Sequence, residues 1–363
     1  MNSVRIPYGH QSIDESDRRA VDEILRGDRL TQGPTIAAFE QAVADRVDAD
    51  HAVAFTNATA ALHGAASVAG LGPGDVVATS PLTFIASANC ARYVGAVPAL
   101  TDIDLSTLNI DPRGVSTEVD GLVAVHYAGL PVDLTSLPAR PRVVIEDAAQ
   151  ALGARTPDGP VGGCAHSDLT VFSFHPVKPI TTGEGGLVTT NSDEMAEALR
   201  RFRNHGMVRR PEVDPWYYEI VDRGYNHRMT DLQAALGLSQ LSRLDRFLSR
   251  RTEIAERYRY LLADAPVVLP PEAPAGSTHA LHLYPIRVQN RRQVYDGMHA
   301  SGIGVQVHYV PLHHHPVNSD LGYRPSDLPA CETAYRELLS LPIFPGLTDE
   351  DQDFVVASLR SLL

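Results

Sequence analysis

The chain has 363 residues, of which 44% are hydrophobic and 21% are charged, and its formal net charge is −13. This length predicts about two domains, and the apolar content is ordinary for a globular protein with a large core. The acidic balance and the lack of a basic stripe exclude a simple nucleic-acid binder, so we expect no nucleic acid as a partner.

The cysteines and the N-terminal segment bear on the cellular compartment. Cys90, Cys164 and Cys331 are far apart and form no CxxC pair, which argues against a zinc ribbon or a disulfide scaffold. The first 17 residues contain no apolar stretch of the kind found in signal peptides, and no apolar run has the length of a bilayer-spanning helix. We therefore expect a cytoplasmic protein with no membrane partner.

The first part of the chain alternates helical and strand-like patterns. Helical periodicity occurs at 16–27, 34–47 and 57–70. Short apolar runs typical of strands occur at 52–56, 76–81, 96–104, 121–129, 142–149 and 169–175. Apolar strands separated by helices predict an α/β domain with a largely parallel sheet. Ligands of such sheets collect at the carboxyl ends of the strands.

The pattern changes at about residue 232. A long helical region with one bend is predicted at 232–265, followed by strands at 279–288 and 304–312 with a helix between them at 294–302; terminal helices are predicted at 331–342 and 349–363. We therefore predict two domains, a large α/β domain at 1–240 and a smaller α+β domain at 241–363.

A segment in the middle of the chain, SFHPVKPITTGEGG, holds one lysine in an unusual setting. Lys178 lies two residues after Pro176 and directly before Pro179, among hydroxyls and glycines. A lysine held so rigidly is expected to act as a nucleophile, and lysine amines form Schiff bases with carbonyls, including that of pyridoxal phosphate (PLP). PLP also requires an acidic partner for its ring nitrogen, a cradle for its phosphate and a wall for its ring.

The sequence offers a candidate for each requirement. Asp147 ends an apolar strand, where a buried carboxylate needs a cation such as a protonated pyridine nitrogen. Gln150, three residues later, is a candidate partner for the ring hydroxyl. In the segment NATA, Ala58 and Thr59 would offer backbone N–H groups and a hydroxyl to a phosphate at a helix N-terminus.

Two further residues complete this constellation. Ser173 is a candidate for a second hydroxyl at the phosphate, and Phe84 for a ring that stacks on the cofactor. Each candidate alone has an ordinary interpretation: Asp147 as a helix cap, Ser173 as a strand hydroxyl and Phe84 as a core residue. Their combination with Lys178 in one α/β domain favours a PLP site.

Two other motifs suggest a nucleotide-binding loop and a metal site. The segment GEGG lacks the remainder of a nucleotide-binding loop, so a P-loop is rejected. The triple histidine at 313–315 suggests a metal, but adjacent histidines are expected to point in different directions and no spaced carboxylate accompanies them. We therefore assign no metal and interpret this segment as a solvated or substrate-facing loop.

Three segments carry a family resemblance: EDAAQALGA, VFSFHPVKPITTGEGGLVTTN and GYNHRMTDLQAALGLSQL. They resemble the DegT/DnrJ/EryC1/StrS family of PLP-dependent sugar aminotransferases, which have the aspartate aminotransferase (fold type I) architecture, and the resemblance runs nearly end to end. Within the family, IPYGHQSID and HPVKPITTGEGG are most similar to transaminases of pseudaminic acid biosynthesis. That similarity implies transfer of an amino group from L-glutamate to a UDP-linked 4-keto sugar, giving UDP-4-amino-4,6-dideoxy-N-acetyl-β-L-altrosamine.

The resemblance also implies a role at each matching position. Lys178 would form the Schiff base and move the proton, and Asp147 would pair with the pyridine nitrogen. The other implied cofactor contacts are Ala58, Thr59, Phe84, Gln150, Ser173 and, from the neighbouring subunit, Asn226. The implied substrate contacts are Thr31, Gln32, Arg228, His308 and Tyr309. A residue supplied by a neighbour implies a homodimer with its active sites at the subunit interface.

Some positions depart from the family pattern and leave alternatives open. His227 stands where the family has a second aromatic, and the triple histidine replaces an apolar stretch. The alternatives are the same transamination on another nucleotide-linked ketosugar, such as a dTDP-linked 3- or 4-ketohexose, a PLP-dependent dehydratase, and a PLP-binding regulator without turnover. Dehydratases of this family replace the lysine with histidine, and regulators carry a DNA-binding extension, so the presence of Lys178 and the chain length favour transamination.

Overall fold

The computed structural model describes residues 4–363. Its helices are α1 Glu15–Arg26, α2 Pro34–Val47, α3 Ala58–Val68, α4 Ala86–Tyr93, α5 Asp193–Phe202, α6 Asp231–Leu241, α7 Leu244–Leu261, α8 Arg291–Ala300, α9 Pro329–Glu337 and α10 Asp349–Arg360. Its strands are β1 His51–Phe55, β2 Val76–Thr79, β3 Val97–Leu100, β4 Gly121–Val125, β5 Val143–Asp147, β6 Arg155–Thr156, β7 Gly159–Pro160, β8 Leu169–Ser173, β9 Gly186–Thr190, β10 Met207–Arg209, β11 Tyr218–Ile220, β12 Tyr284–Arg287 and β13 Leu338–Leu341. Over this range no helix has the length and apolarity of a membrane-spanning segment.

The central sheet has the strand order β1-β9-β8-β5-β4-β2-β3. The pairs from β8 to β3 are parallel, and β9 runs antiparallel to both β8 and β1. The prediction of an α/β fold with a largely parallel sheet is confirmed. Every residue of β4, β5 and β8 is buried, as expected for strands covered by helices on both faces.

Helices of contrasting composition cover the two faces of the sheet. On one face, the small residues of α3, including Ala61 and Ala65, pack closely against strand residues such as Val123 and Ile145. On the other face, Phe39 of α2 meets Phe174 edge to face, with ring centroids 5.2 Å apart. Both layers are apolar, so the sheet lies at the centre of the core.

The strand ends place three residues next to each other at one edge of the sheet. Val125, Asp147 and Ser173 are the last residues of β4, β5 and β8, which are neighbours in the sheet. Val125 pairs in register with Asp147, and Asp147 with Val171. Polar side chains that follow buried strands therefore meet at this carboxyl edge, where α/β sheets bind their ligands.

The C-terminal elements form their own apolar cluster. Strands β12 and β13 pair antiparallel, and α7, α8 and α10 pack around them through residues such as Tyr258, Met298 and Val355. The predicted domain boundary at 240/241 lies just before Leu241, the last residue of α6. The division into two domains remains a prediction.

Two secondary-structure predictions for this region are wrong. The strand predicted at 304–312 is reduced to an isolated bridge between Gln306 and Ser340. The helix predicted at 331–342 ends at Glu337, because Leu338–Leu341 form β13 against β12. The apolar residues of that segment are buried either way, and the partner strand determines which backbone conformation they adopt.

Candidate active site

A cavity of about 780 Å³ opens at the carboxyl edge of the central sheet. The predicted site residues that line it are Ala58, Thr59, Phe84, Asp147, Gln150, Ser173, Lys178, His308 and Tyr309. They come from five segments of the chain, among them the start of α3 and the ends of β5 and β8, and are separated by up to about 250 positions. The fold therefore brings the predicted PLP-binding residues except Asn226, and two of the predicted substrate-binding residues, to one place.

Lys178 lies in the turn between β8 and β9. Its backbone N–H donates to the carbonyl of His175 over 2.9 Å, and Pro179 after it is buried, so the lysine backbone is fixed on both sides. Burial lowers the pKa of Lys178 to about 8, against the opposing effect of the Asp147 charge. Lys178 is also the one lysine in the whole sequence; all other cationic side chains of fixed charge are arginines.

Asp147 is a buried carboxylate held by hydroxyl and amide donors. Its Oδ2 accepts a hydrogen bond of 2.6 Å from the hydroxyl of Ser87, and its Oδ1 accepts one of 3.2 Å from the backbone N–H of Ala149. The Ser87 hydroxyl lies 2.9 Å from that of Thr83, which also lines the cavity. Within residues 4–363 no arginine or lysine forms a salt bridge with Asp147. A buried carboxylate of this kind is suited to a cationic ligand atom.

An anion cradle lies at the start of α3. Asn57 caps this helix by accepting the N–H of Ala60 over 2.8 Å, which leaves the N–H groups of Ala58 and Thr59 without intrahelical partners. Strand β9 passes directly beneath: a Cβ at Gly186 would lie 2.4 Å from the backbone carbon of Asn57. Free N–H groups and a helix N-terminus attract phosphate, so this cradle fits the phosphate of PLP.

Both polar atoms of the Gln150 side chain form hydrogen bonds. Its Oε1 accepts from the backbone N–H of Ala128 over 2.7 Å, and its Nε2 donates to the hydroxyl of Tyr309 over 2.9 Å. Burial and the charge of Asp147 raise the pKa of Tyr309 well above its ordinary value, so this hydroxyl stays protonated. In this arrangement Gln150 orients Tyr309, and its contact with the cofactor ring remains a prediction.

Phe84 lies at the rim of the cavity. The sequence placed it at a strand end, but β2 ends at Thr79 and Phe84 lies in the loop before α4. Its side chain is 58% exposed, and its ring centroid lies 6.3 Å from that of Tyr309. An exposed ring over a cavity has a free face on which a planar ligand can stack.

The cavity wall also contains residues that the sequence did not predict. His282 and Tyr8 line the wall with His308, whose Nδ1 lies 2.9 Å from the Ser340 hydroxyl. Burial and the neighbouring Lys178 lower the pKa of His308 to about 3 and that of His282 well below its ordinary value. Both imidazoles are therefore neutral beside the lysine. The sequence around His282 carries strand periodicity alone, so nothing in it marks the residue.

Four predicted site residues lie away from Lys178 within the chain. Thr31 forms a backbone bridge with Thr230, and Asn226 forms one with Asn204. Arg228 donates to the side chain of Asn204 over 2.7 Å and, with Gln32, lines a second cavity of about 920 Å³. That cavity is rich in arginine: Arg200, Arg201, Arg203, Arg209, Arg210 and Arg228.

The triple histidine is arranged differently from the expectation. The Nε2 atoms of His313 and His314 lie 2.8 and 2.5 Å from Oε1 of Glu332, while His315 is half-buried and takes no part in this contact. The prediction that adjacent histidines diverge and that no carboxylate accompanies them is wrong. A tight helical turn at 312–314 swings both rings to one side, and α9 supplies Glu332 from 18 residues further along the chain.

Solved structures of sugar aminotransferases have folds similar to that of this chain. The Helicobacter pylori protein PseC, an aminotransferase involved in the biosynthesis of pseudoaminic acid, has a similar fold with a TM-score of 0.90 and 30% identity over 98% of both chains. The PLP form of Spr1654 from Streptococcus pneumoniae has a TM-score of 0.91 and 28% identity over 98% of both chains. The fold is that of a PLP-dependent sugar aminotransferase of fold type I.

The sequence relationship is equally extensive. The chain belongs to the DegT/DnrJ/EryC1/StrS aminotransferase family, which it matches over residues 11–360. It is 37% identical over 382 aligned positions to the spore coat polysaccharide biosynthesis protein SpsC of Bacillus subtilis, covering 99% of this chain and 97% of that one. The predictions of the family, of the enzyme class and of PLP as cofactor are confirmed.

Proposed function

We propose that this enzyme transfers the amino group of L-glutamate to the C4 keto group of a UDP-linked 2-acetamido-2,6-dideoxy-4-hexulose. The product is UDP-4-amino-4,6-dideoxy-N-acetyl-β-L-altrosamine, and the reaction belongs in the cytoplasm. The observation that carries this proposal is the similarity to PseC over 98% of both chains, and it is supported by the cavity of this chain that Lys178 and Asp147 line.

The chemistry rests on Lys178 and Asp147. PLP, when bound, supplies a carbonyl that accepts amines and a ring that stores the electron pair released when a C–H bond next to nitrogen breaks. Lys178 would hold the cofactor through its Nζ and would accept and return the proton at that atom. A pKa lowered to about 8 keeps part of this amine neutral under physiological conditions, as a base requires.

The remaining cavity residues would bind and orient. Asp147, fixed by Ser87, would keep the ring nitrogen protonated, and the N–H groups of Ala58 and Thr59 with the Ser173 hydroxyl would hold the phosphate. Phe84 would cover one ring face. His308 and Tyr309 lie on the same wall as Lys178, which supports a role for them in contact with the sugar.

The distant residues support a homodimer with shared active sites. Asn226 and Arg228 lie outside the Lys178 cavity of their own chain, so contact with a phosphate there requires a second copy. The adjoining β10–β11 hairpin exposes Trp216, Tyr218 and Ile220, an apolar surface of the kind that subunits bury. We propose that this hairpin and the 226–228 segment pack over the neighbour's cavity and that Thr31 and Gln32 line the nucleotide side.

A second candidate substrate is another nucleotide-linked ketosugar, such as a dTDP-linked 3- or 4-ketohexose. Two observations favour keeping it: the relative SpsC is named for spore coat polysaccharide biosynthesis, and His227 departs from the family pattern next to Asn226. The PLP chemistry is the same for both substrates, so the difference lies in the nucleotide and the keto position.

A substrate panel tests the proposal. The PLP-loaded enzyme is incubated with L-glutamate and, separately, the UDP-linked 4-ketosugar, a dTDP-linked 4-ketohexose and a dTDP-linked 3-ketohexose, and 2-oxoglutarate release is measured. We expect kcat/KM for the UDP compound to exceed the others by at least about tenfold, since a mismatched polar contact costs roughly 1–3 kcal/mol. A higher value for either dTDP compound would assign the second candidate, and aminosugar formed with another amino acid but not with L-glutamate would exclude L-glutamate as donor.

A further inference from the structure

A cluster of two histidines and one glutamate lies outside the active site. His313 and His314 belong to the short 3-10 helix Leu312–His314, and Glu332 lies in the first turn of α9. Both Nε2 atoms approach the same carboxylate oxygen, at 2.8 and 2.5 Å. One ligand atom from each of the three side chains lies within 4.8 Å of the others. Three potential ligands from two elements therefore converge on one point.

We propose that His313, His314 and Glu332 bind one divalent cation of the zinc class. Imidazole nitrogen and carboxylate oxygen are common zinc ligands, and three protein ligands with one water form an open tetrahedral site. Ligand bonds of about 2.0–2.2 Å place tetrahedral donor atoms about 3.3 Å apart. The two nitrogens therefore need to move by less than about 1 Å from the carboxylate oxygen to admit the ion.

The charges around the cluster suit a divalent cation. Glu332 supplies one negative charge, and Asp102 supplies a second: its carboxylate accepts the N–H groups of Ala330 and Cys331, each over 2.8 Å, at the start of the same helix. A neutral imidazole is the form that binds metal, and two nearby carboxylates balance the charge of the ion.

The exposure of the cluster leaves one coordination position open to solvent. The side chain of His313 is 1% exposed and that of His314 is 29% exposed, so the site is buried on one side and reachable from the other. Among the described residues, Nδ1 of His313 has no hydrogen-bond partner, so Glu332 alone fixes the position of the imidazole proton. An ion would bind the lone pair at Nε2 of the neutral imidazole, and the single imidazole proton would then lie on Nδ1.

The position of the cluster links it to the wall of the active site. Tyr309 lines the lysine cavity, and three residues later the backbone N–H of Leu312 donates to the carbonyl of Pro81 over 2.9 Å. An ion on His313, His314 and Glu332 would tie this segment to α9. The metal would thus position the cavity wall and stabilise the folded state, and it would take no part in proton transfer.

Metal retention by the PLP-loaded protein tests the proposal. The wild-type protein is equilibrated with Zn²⁺, dialysed and assayed for zinc per chain by mass spectrometry of the element. We expect one zinc per chain, and at least about tenfold weaker binding for Glu332→Gln and for His314→Ala. His166→Ala is the matched control, because His166 pairs with Asp158 in an exposed two-residue contact; its zinc content should equal that of the wild type.

A second measurement, cobalt absorption, needs only the wild-type protein. Co²⁺ added to the wild-type protein should produce the visible d–d absorption of a tetrahedral nitrogen and oxygen site, and Zn²⁺ should remove it. Zinc should also raise the Tm of the wild-type protein and leave that of His314→Ala unchanged. The proposal is overturned if the wild-type protein retains no zinc or shows no cobalt spectrum. It is also overturned if Glu332→Gln binds zinc as tightly as the wild type does.

Discussion

The hydroxyl of Ser87 donates a hydrogen bond of 2.6 Å to Oδ2 of Asp147. Ser87 lies in α4 and Asp147 at the end of β5, 60 residues apart, and both are buried. This hydrogen bond fixes the direction of the carboxylate. The pair therefore presents a negative charge of fixed orientation to the cavity, as a protonated ring nitrogen requires.

We expect Asp147→Asn to lower kcat/KM by about a hundredfold to a thousandfold, the range found when one preorganised electrostatic partner is removed. The amide keeps the size of the side chain but loses its charge. Transamination with L-glutamate at saturating PLP measures the loss. Ser87→Ala should cost about tenfold or less, since the carboxylate remains charged and loses one donor. An Asp147→Asn enzyme with unchanged turnover would show that this carboxylate does not act on the cofactor.

The single lysine of the chain allows a direct test of Schiff-base formation. Borohydride reduction of the PLP-loaded protein should attach one pyridoxyl group per chain, in the peptide that contains Lys178. Lys178→Ala should attach none at an internal position, and its turnover should fall by at least about a thousandfold while its circular dichroism is unchanged. The sequence has no other lysine that could capture PLP. Label found in Lys178→Ala at any position except the N-terminal amine would therefore contradict the assignment.

The pH dependence of PLP capture follows from the lowered pKa of Lys178. In the cofactor-free protein the amine is protonated below about pH 8 and neutral above it, and the neutral form attacks the carbonyl. The rate of PLP incorporation should rise with pH and reach half of its maximum near pH 8. Because Asp147 opposes the effect of burial, Asp147→Asn should move this midpoint to lower pH. A midpoint near 10.4, that of an unperturbed lysine, would show that burial does not act on the amine.

The strand ends of the site were predictable, whereas its supporting contacts were not. Apolar runs that end at Asp147 and Ser173 are local patterns, so their position at the carboxyl edge follows from the sheet. Ser87, His282 and Tyr8 meet that edge through the folding of distant segments, and no local pattern encodes such a meeting. The sequence thus indicated which residues end strands but not which side chains hold them.

The same limit explains the errors in the C-terminal part. The segment 338–341 continues the helical spacing of α9, yet its backbone pairs with β12. The histidines at 313 and 314 share a partner because α9 places Glu332 opposite them. In both cases a tertiary neighbour decides the outcome, and periodicity within a short window contains no information about that neighbour.

Gly186→Ala tests the phosphate cradle. A Cβ at this position would lie 2.4 Å from the backbone carbon of Asn57 and 2.5 Å from the backbone nitrogen of Ala58, so the start of α3 has to shift. Because hydrogen bonds to a charged group are worth about 1.5–3 kcal/mol, we expect PLP to bind about ten to a hundred times more weakly. The measurement is titration of the cofactor-free protein with PLP.

The matched control for this substitution is Gly72→Ala. The nearest atom to a Cβ there is 3.9 Å away, so a methyl group fits without movement. PLP affinity of Gly72→Ala should equal that of the wild type. Equal affinity in Gly186→Ala would show that the phosphate binds away from the α3 N-terminus.

Arg251 connects the C-terminal cluster to the active-site wall. Its NH1 group donates to the carbonyls of Leu281, His282 and Ile343 over 3.1, 3.3 and 3.1 Å. Burial lowers the pKa of Arg251 to about 10, so the guanidinium remains charged at neutral pH. Arg251→Ala leaves three carbonyls without this donor and should reduce the free energy of unfolding by about 3 kcal/mol or more.

Urea unfolding followed by circular dichroism measures this loss. The control is Arg246→Ala on the same helix, where the side chain is exposed and the change should stay within about 0.5 kcal/mol. Since His282 lines the lysine cavity, Arg251→Ala should also weaken PLP binding, whereas Arg246→Ala should not. An Arg251→Ala protein as stable as the wild type would mean that the freed carbonyls find water, and that the cavity wall is held by packing of β12 instead.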